Sequence, residues 1–339
     1  MELSEFDFPF DPALIASEPV LPRDHARLFV LDRASGTFAH HRVSDLPHLL
    51  GPRDLLVVND TKVRPARVVG RKRPSGARVE LLFVKERSDG SWDVLLKGRF
   101  RPGQSIDLSP EDRVVVRSRE EGATVVTIES SLPRREFFRR FGSMPLPPYI
   151  KRMPSEMDQQ WYQTMFAEKE GAIAAPTAGL HFTGGLLERL RQRGVDLVTV
   201  TLHVGIGTFK PVTVEKVEEH QMAPEWVEVA GDTLHAVAQT RKAGRRVVAV
   251  GTTVVRALEA ASRGANDDKP FRGETNLFIT PGHAFRSIDA LITNFHFPKT
   301  TLLMLVSAFA GTALLKRAYN EAVRERYRFY SYGDAMLIL

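Results

Sequence analysis

Between about Val68 and Ser130 apolar and polar residues alternate in short runs, RVELLFV, WDVLLKG, RVVVRS and TVVTIES, divided by the glycine-bearing turns PSG, SDG, RPG and EEG. Alternation of period two, broken by residues suited to tight reversals, predicts antiparallel strands, and no helical period intervenes. A small antiparallel β-barrel is the expected product, since closure removes exposed sheet edges. Beyond Pro147 and Pro148 the pattern changes to strands alternating with helices. After Thr183, a good N-cap, GGLLERLRQRG predicts a helix ended by Gly194, and VDLVTVTLHV a buried strand. Asp232 is expected to cap a helix running to Gly244. RRVVAV then predicts a strand, GTT a turn and VVRALEAASR a helix. In ALLKRAYNEAVRERY the apolar residues Leu315, Ala318, Tyr319, Ala322 and Val323 share one helical face. This alternation implies an α/β domain with a largely parallel sheet. DLLVVND, before the barrel, supplies a further strand to it. The expected organisation is a large α/β catalytic domain of residues 1–66 and 148–339, with the β-barrel inserted at 67–147.

The chain has 339 residues, more than one core usually supports, which agrees with two domains. At 43% hydrophobic and 26% charged it is an ordinary globular composition, and disorder is excluded as a description of the whole. The start, MELSEFDFPF, lacks the basic segment and apolar stretch of a secretory signal, so a cytoplasmic location is expected. The longest apolar run, Thr301 to Leu315, is interrupted by Ser307, Gly311 and Thr312 and falls short of the ~20 residues of a membrane span. A buried helix, and no membrane, is expected there.

No cysteine occurs, which excludes thiol catalysis and cysteine-ligated metal and leaves histidine, carboxylate and hydroxyl chemistry. In open α/β sheets ligands bind beyond the carboxyl ends of strands. Asn59-Asp60-Thr61 follows LLVV, His203 follows LVTVTL, Thr252-Thr253 follows VVAV, and Thr293-Asn294 with His296 follows ALI. At Gly251-Thr252-Thr253 the free amides of the next helix suit a carboxylate or phosphate. His181, His203, His220 and His296 all lie in such clusters, where imidazole serves proton transfer near neutral pH. Each one alone reads rather as a hydrogen-bonded core histidine, and it is the four together at strand ends that point to a site. No two fall at the i, i+4 spacing of a helical metal pair, so acid–base chemistry without a metal is expected. There is no P-loop, no GxGxxG after a strand and no GxSxG elbow, so NTPase, dinucleotide and serine-hydrolase chemistry lack support.

The formal net charge is +6, compatible with a polyanion such as RNA. Arg71, Lys72 and Arg73 lie together, and PRREFFRRFG sets Arg134, Arg135, Arg139 and Arg140 around Phe137 and Phe138. Such arginines hold phosphates while exposed aromatic rings stack on bases. The competing account is an amphipathic helix with a solvated basic face and two core phenylalanines.

Eight motifs carry a resemblance: NDTKVRPAR, LPPYI, AAPTAGLHFT, TLHVGIGTFKPV, VGTTVVRALE, LFITPG, DALITNFHFPKTTLLMLVSAFAG and YRFYSYGDAMLI. In this order, over nearly the whole chain, they resemble the S-adenosylmethionine:tRNA ribosyltransferase-isomerase family of queuosine biosynthesis. The resemblance implies a large α/β domain with an inserted barrel. It also implies transfer of the ribosyl part of S-adenosylmethionine onto a 7-aminomethyl-7-deazaguanine at the tRNA wobble position, giving epoxyqueuosine, adenine and methionine. S-adenosylmethionine would be a cosubstrate, with no permanently bound cofactor and no metal, tRNA would be the partner, and a monomer is expected. The absence of cysteine excludes the three-cysteine iron–sulfur cluster of radical enzymes that share this cosubstrate.

Under this resemblance His181 and His203 are acid–base candidates, with His220, His296 and Asp289 as further catalytic candidates. Asp60 and Asp289 would orient ribose hydroxyls or a histidine, and Thr252, Thr253 and Arg256 suit the methionine carboxylate. Asn59, Thr61, Arg64, Arg67, Thr177, Thr208, Glu225, Thr293 and Asn294 complete the substrate-binding set. Asp289 reads alternatively as the N-cap of a following helix. One departure stands out: where relatives often read HxMHxE, this chain has His220-Gln221-Met222-Ala223-Pro224-Glu225, so the second histidine is dispensable on this reading. Two other functions compete, a non-catalytic RNA-binding module and a small-molecule transferase that uses no RNA.

Overall fold

Every residue of the strands Leu55–Asn59, Val247–Val250 and Ala290–Asn294 is buried. A strand apolar on both faces needs cover on both, the setting found inside a helix-covered sheet. The computed structural model describes residues 1–120, 123–205, 207, 212–262 and 269–339. Two units separate within it: Met1–Lys62, Pro148–Arg152 and Trp161–Leu339 form one, Val63–Pro147 and Met153–Gln160 the other.

The first unit holds a nine-stranded sheet built from β1 (Arg27–Asp32), β2 (Thr37–Arg42), β3 (Leu55–Asn59), β4 (Asp196–Leu202), β5 (Glu225–Val229), β6 (Val247–Val250), β7 (Phe271–Thr275), β8 (Ala290–Asn294) and β9 (Ala335–Ile338). Their spatial order is β7-β5-β4-β3-β6-β8-β9-β1-β2. The centre, β4-β3-β6-β8, runs parallel, as does β9 with β1. The pairs β4–β5, β5–β7, β8–β9 and β1–β2 are antiparallel. The largely parallel sheet expected from the sequence is therefore corrected to a mixed one. A parallel neighbour requires a crossover connection, and residues 33–36 between β1 and β2 are too few to make one.

Among the described residues, five helices of nine residues or more accompany this sheet: α1 (Gly184–Gln192), α2 (Gly231–Lys242), α3 (Thr252–Ala261), α4 (Thr301–Ala310) and α5 (Thr312–Arg324). Because side chains alternate across a strand, Leu28, Val30, Leu56, Val58, Val248, Val250, Ala290 and Ile292 share one face, which packs on Phe182, Leu186 and Leu190 of the α1 region. Thr183 caps α1, accepting from the Leu186 amide at 3.2 Å. Asp232 does not cap α2; it lies in the first turn, and Ala230 takes the cap position. The apolar run from Thr301 is two helices, α4 and α5, bent by 112° about Gly311, whose φ of 86° suits glycine. Among the described residues no single helix is long and apolar enough to cross a membrane.

In the second unit six antiparallel strands, Arg67–Lys72, Arg78–Glu86, Trp92–Leu96, Ala123–Glu129, Arg113–Glu120 and Ser105–Asp107, close into a barrel, the last pairing back onto the first. Val68, Leu81, Phe83, Trp92, Val94, Ile106, Val114 and Val116 are buried, one from each second position as the pleat demands. The helix Arg134–Phe141 adds Phe137 and Phe138 to this core, Phe138 lying 5.1 Å from Phe83 and 5.2 Å from Trp92 between ring centroids. The helix ends at Gly142, where a Cβ would fall 1.9 Å from the Pro65 carbonyl oxygen.

Candidate functional site

The parallel strands β4, β3, β6 and β8 deliver their carboxyl ends to one edge of the sheet. At the end of β3 the Asn59 side chain extends the ladder to β4, donating to the Leu202 carbonyl at 3.0 Å and accepting from the Leu202 amide at 3.1 Å. It also donates to the Thr253 hydroxyl at 3.3 Å. Burial lifts the carboxyl of Asp60 above the usual carboxylate range, against the Thr201 hydroxyl that donates to it at 2.6 Å. The Thr61 hydroxyl meets Nδ1 of His203 at 2.7 Å. The ring lies against Gly171, where an added Cβ would stand 2.5 Å from Nε2.

After β6 the chain turns at Gly251, φ 95°, and enters α3 through the buried Thr252 and Thr253. Amides in this first turn have no carbonyl four residues back, so they point at whatever occupies the sheet edge. After β8, Thr293 Oγ1 and His296 Nε2 are 2.8 Å apart, and the His296 amide donates to the Tyr319 phenol at 3.0 Å. Asn294 joins three segments. Its Oδ1 accepts from the Thr177 hydroxyl at 2.8 Å, while its Nδ2 donates to the Tyr330 carbonyl and to His181 Nε2, both at 3.1 Å. Burial pushes His181 down to about 4 and His296 down to about 3, so both imidazoles are neutral at physiological pH.

The groups that follow β6 and β8 border a cavity of about 80 Å³, smaller than the usual small-molecule site. Thr177, Thr252, Thr253, Thr293, Asn294 and His296 line its polar side, and Tyr149, Phe297 and Tyr330 form an aromatic wall. No carboxylate, lysine or arginine is among the described residues that line it.

Residues 3–338 match the family described as queuosine biosynthesis protein. The chain belongs to this queuosine biosynthesis family. A relative from Aquifex aeolicus named S-adenosylmethionine:tRNA ribosyltransferase-isomerase is 47% identical over the whole of both chains. One of the same name from an Anaeromyxobacter species is 50% identical, the alignment covering 100% of this chain and 99% of the other. A crystal structure of S-adenosylmethionine tRNA ribosyltransferase from Thermotoga maritima, 37% identical, superposes with a TM-score of 0.59 over 99% of this chain and 100% of that one.

The queuosine-family motifs thus bring Thr177, Thr252, Thr253, Thr293, Asn294 and His296 to one cavity, with His181 held behind Asn294. Asn59, Asp60, Thr61 and His203 stand at the same sheet edge without lining the cavity. Other candidates are placed elsewhere. Glu225 and Arg256 form a buried ion pair, in which Glu225 also accepts from the Gly205 amide at 2.8 Å and Arg256 donates to the Leu277 carbonyl at 3.0 Å. His220 packs on Phe278, with centroids 5.3 Å apart, and burial lowers its pKa. Asp289 is corrected on both of its readings. It precedes the amino end of β8, opposite the cavity, where its carboxylate accepts from the Val247 amide at 2.9 Å and lies 3.6 Å from Arg241, and the element that follows is a strand. Thr208 lies outside the described residues.

Arg64 and Arg67 belong to the barrel unit, Arg64 over the Trp92 ring at 5.0 Å and Arg67 donating to the Leu146 carbonyl at 2.7 Å. Arg71, Arg73 and Arg78 line a polar groove on that barrel beside Asp107, which pairs with Arg73, while Lys72 donates to the Arg99 carbonyl at 2.7 Å. Arg134 pairs with Glu86 and Arg139 with Glu136, and Arg135 and Arg140 are exposed. Phe137 and Phe138 are core residues, so base stacking on them is ruled out, as the solvated-face account had it. Sequence reasoning passed over Tyr149, Phe297 and Tyr330. The motifs LPPYI, NFHFP and YRFYSYGD contain them, but aromatic residues in apolar surroundings read as core.

Proposed function

We propose that this protein transfers and isomerises the ribosyl part of S-adenosylmethionine onto 7-aminomethyl-7-deazaguanine at the wobble position of tRNA, yielding epoxyqueuosine, adenine and methionine. One observation carries the reading. A chain matched end to end by ribosyltransferase-isomerases holds, at the carboxyl edge of its sheet, a cavity that combines a helix amino terminus, converging hydroxyls and a neutral imidazole. The amides and hydroxyls of Thr252 and Thr253 receive the methionine carboxylate, the role left to them in a lining without lysine or arginine. Thr177, Thr293 and Asn294 orient the ribose hydroxyls.

The sulfonium acidifies the adjacent C5′ protons. His296, uncharged and facing the cavity, takes one of them, and the electron pair released expels adenine, whose departing nitrogen takes a proton from His203, one residue before the lining Val204. The aminomethyl nitrogen attacks the ribosyl carbon, and methionine leaves as a neutral thioether when the epoxide closes. His181 acts by position, fixing the Asn294 amide through its unprotonated Nε2. The exposed arginines of the barrel hold the tRNA backbone through phosphate contacts. The enzyme works as a cytoplasmic monomer with no resident metal.

The test is incubation with S-adenosylmethionine and a tRNA carrying the aminomethyl-deazaguanine, followed by nucleoside digestion and mass spectrometry. Epoxyqueuosine with one equivalent each of adenine and methionine is expected, and unchanged nucleoside would overturn the reaction. His296→Gln should bind S-adenosylmethionine and cut adenine release by about 10²–10⁴-fold, the usual worth of a general base. Wild-type turnover in that variant would remove His296 from the proposal.

A further inference from the structure

The aromatic wall answers a question the polar side leaves open. On the proposed function the ligand enters with a full positive charge at sulfur, and a charge taken from water without compensation is costly. None of the described lining residues is a carboxylate, and His296 and its neighbours are uncharged. What remains to meet a cation is the negative face of aromatic rings. Tyr149, Phe297 and Tyr330 are the rings of the lining, packed on one another with Tyr149 4.6 Å from Tyr330 and 5.4 Å from Phe297, and Phe297 3.4 Å from Tyr330, between centroids.

Tyr330 is held there at a cost. Its φ is 71°, a left-handed conformation that a bulky residue rarely adopts. Its carbonyl accepts from Asn294 at 3.1 Å and from the Gly333 amide at 2.9 Å. Buried Asp334 closes the turn, accepting from the Arg328 amide at 2.8 Å and the Arg27 amide at 3.1 Å. Several contacts over-determine a strained residue whose phenol is buried and has no hydrogen-bond partner among the described residues. Strain maintained beside a cavity, with an unspent polar group, is the pattern of a ligand contact.

We propose that Tyr330, with Phe297 and Tyr149, is the specificity-determining element that recognises the sulfonium centre of the cosubstrate on its aromatic faces, the Tyr330 hydroxyl adding one hydrogen bond to the ligand. This inference rests on the proposed function, because it assumes the cationic cosubstrate. The test is equilibrium binding, by calorimetry on the full chain, of S-adenosylmethionine and of S-adenosylhomocysteine, the neutral thioether that shares its adenosyl and amino-acid parts. Wild type should favour the sulfonium. Tyr330→Leu and Phe297→Leu should each reduce that preference by about tenfold, the order of one desolvated cation–π contact. Tyr330→Phe, which keeps the ring and loses the hydroxyl, should weaken both ligands alike and leave their ratio unchanged. If Tyr330→Leu does not fold, Phe297→Leu, at a partly exposed position, carries the test. An unchanged ratio in the leucine variants, or a wild type that does not prefer the sulfonium, overturns this proposal and leaves the proposed function standing. A wild type that binds neither ligand overturns both.

Discussion

Glu225 and Arg256 show how one residue pair changes meaning once its partners are known. Both were candidates for substrate under the family resemblance, Arg256 for the methionine carboxylate at a helix amino terminus and Glu225 as the last residue of the motif that begins at His220. Instead they neutralise each other in the interior, each 5% exposed. Breaking such a pair strands a charge, so Glu225→Ala should lower stability by about 3–5 kcal/mol in a urea melt. A loss within experimental error would mean that water reaches Arg256 and the pair is not a structural unit. His181 and His296 carried the opposite ambiguity, site or core: each is buried and hydrogen-bonded, and of the two His296 lines the cavity. Residue type alone could not separate the two, because a buried imidazole and a catalytic one need the same hydrogen-bonded neighbours.

At the scale of elements, the strand ends were readable wherever an apolar run met a cluster of threonine, asparagine and histidine, and two of the four such clusters line the cavity. GTT was read as a turn before the helix, whereas α3 begins at Thr252 itself, which places the threonine hydroxyls on the first turn. The close approach of Lys169–Ala172 to His203 had no sequence signal beyond one glycine. A methyl group at Gly171 would displace the imidazole, since the clash is with the ring itself. Gly171→Ala should therefore slow adenine release in single-turnover experiments by tenfold or more, while its melting temperature changes by only a few degrees, as about 1 kcal/mol would allow. Turnover at the wild-type rate would show that the position of His203 does not matter to the reaction. In the barrel, the four strands with clean alternation were legible, but Arg67–Lys72 and the short Ser105–Asp107, whose pairing closes the ring, were not. Three residues carry too little periodicity to be seen.

For the whole molecule, the buried histidines link stability to pH. An imidazole lowered to about 4 or about 3 in the fold binds its proton near 6.5 when unfolded. Below about pH 6.5 the unfolded chain therefore holds more protons, and stability falls as pH falls. His181 and His296 together contribute a slope of up to about 2.7 kcal/mol per pH unit near pH 5. The raised carboxyl of Asp60 acts in the other direction, by at most one proton. Melting temperatures should be level above about pH 7 and fall on acidification to pH 5; a level profile throughout would mean that these rings are not desolvated. The alternation of β-runs, the caps, the glycine turns and the eight ordered motifs are properties of neighbouring residues, and from them the sequence by itself determined the barrel, the α/β alternation and the family resemblance. Strand direction, the displacement of Asp289 to the far end of β8 and the aromatic wall of the cavity were decided only by the tertiary structure. The physical reason is that local periodicity says which side chains leave water. Which other strand or empty space each of them then faces is set by contacts between segments far apart in the chain, such as Asn294 with Tyr330 and Tyr149 with Ser331.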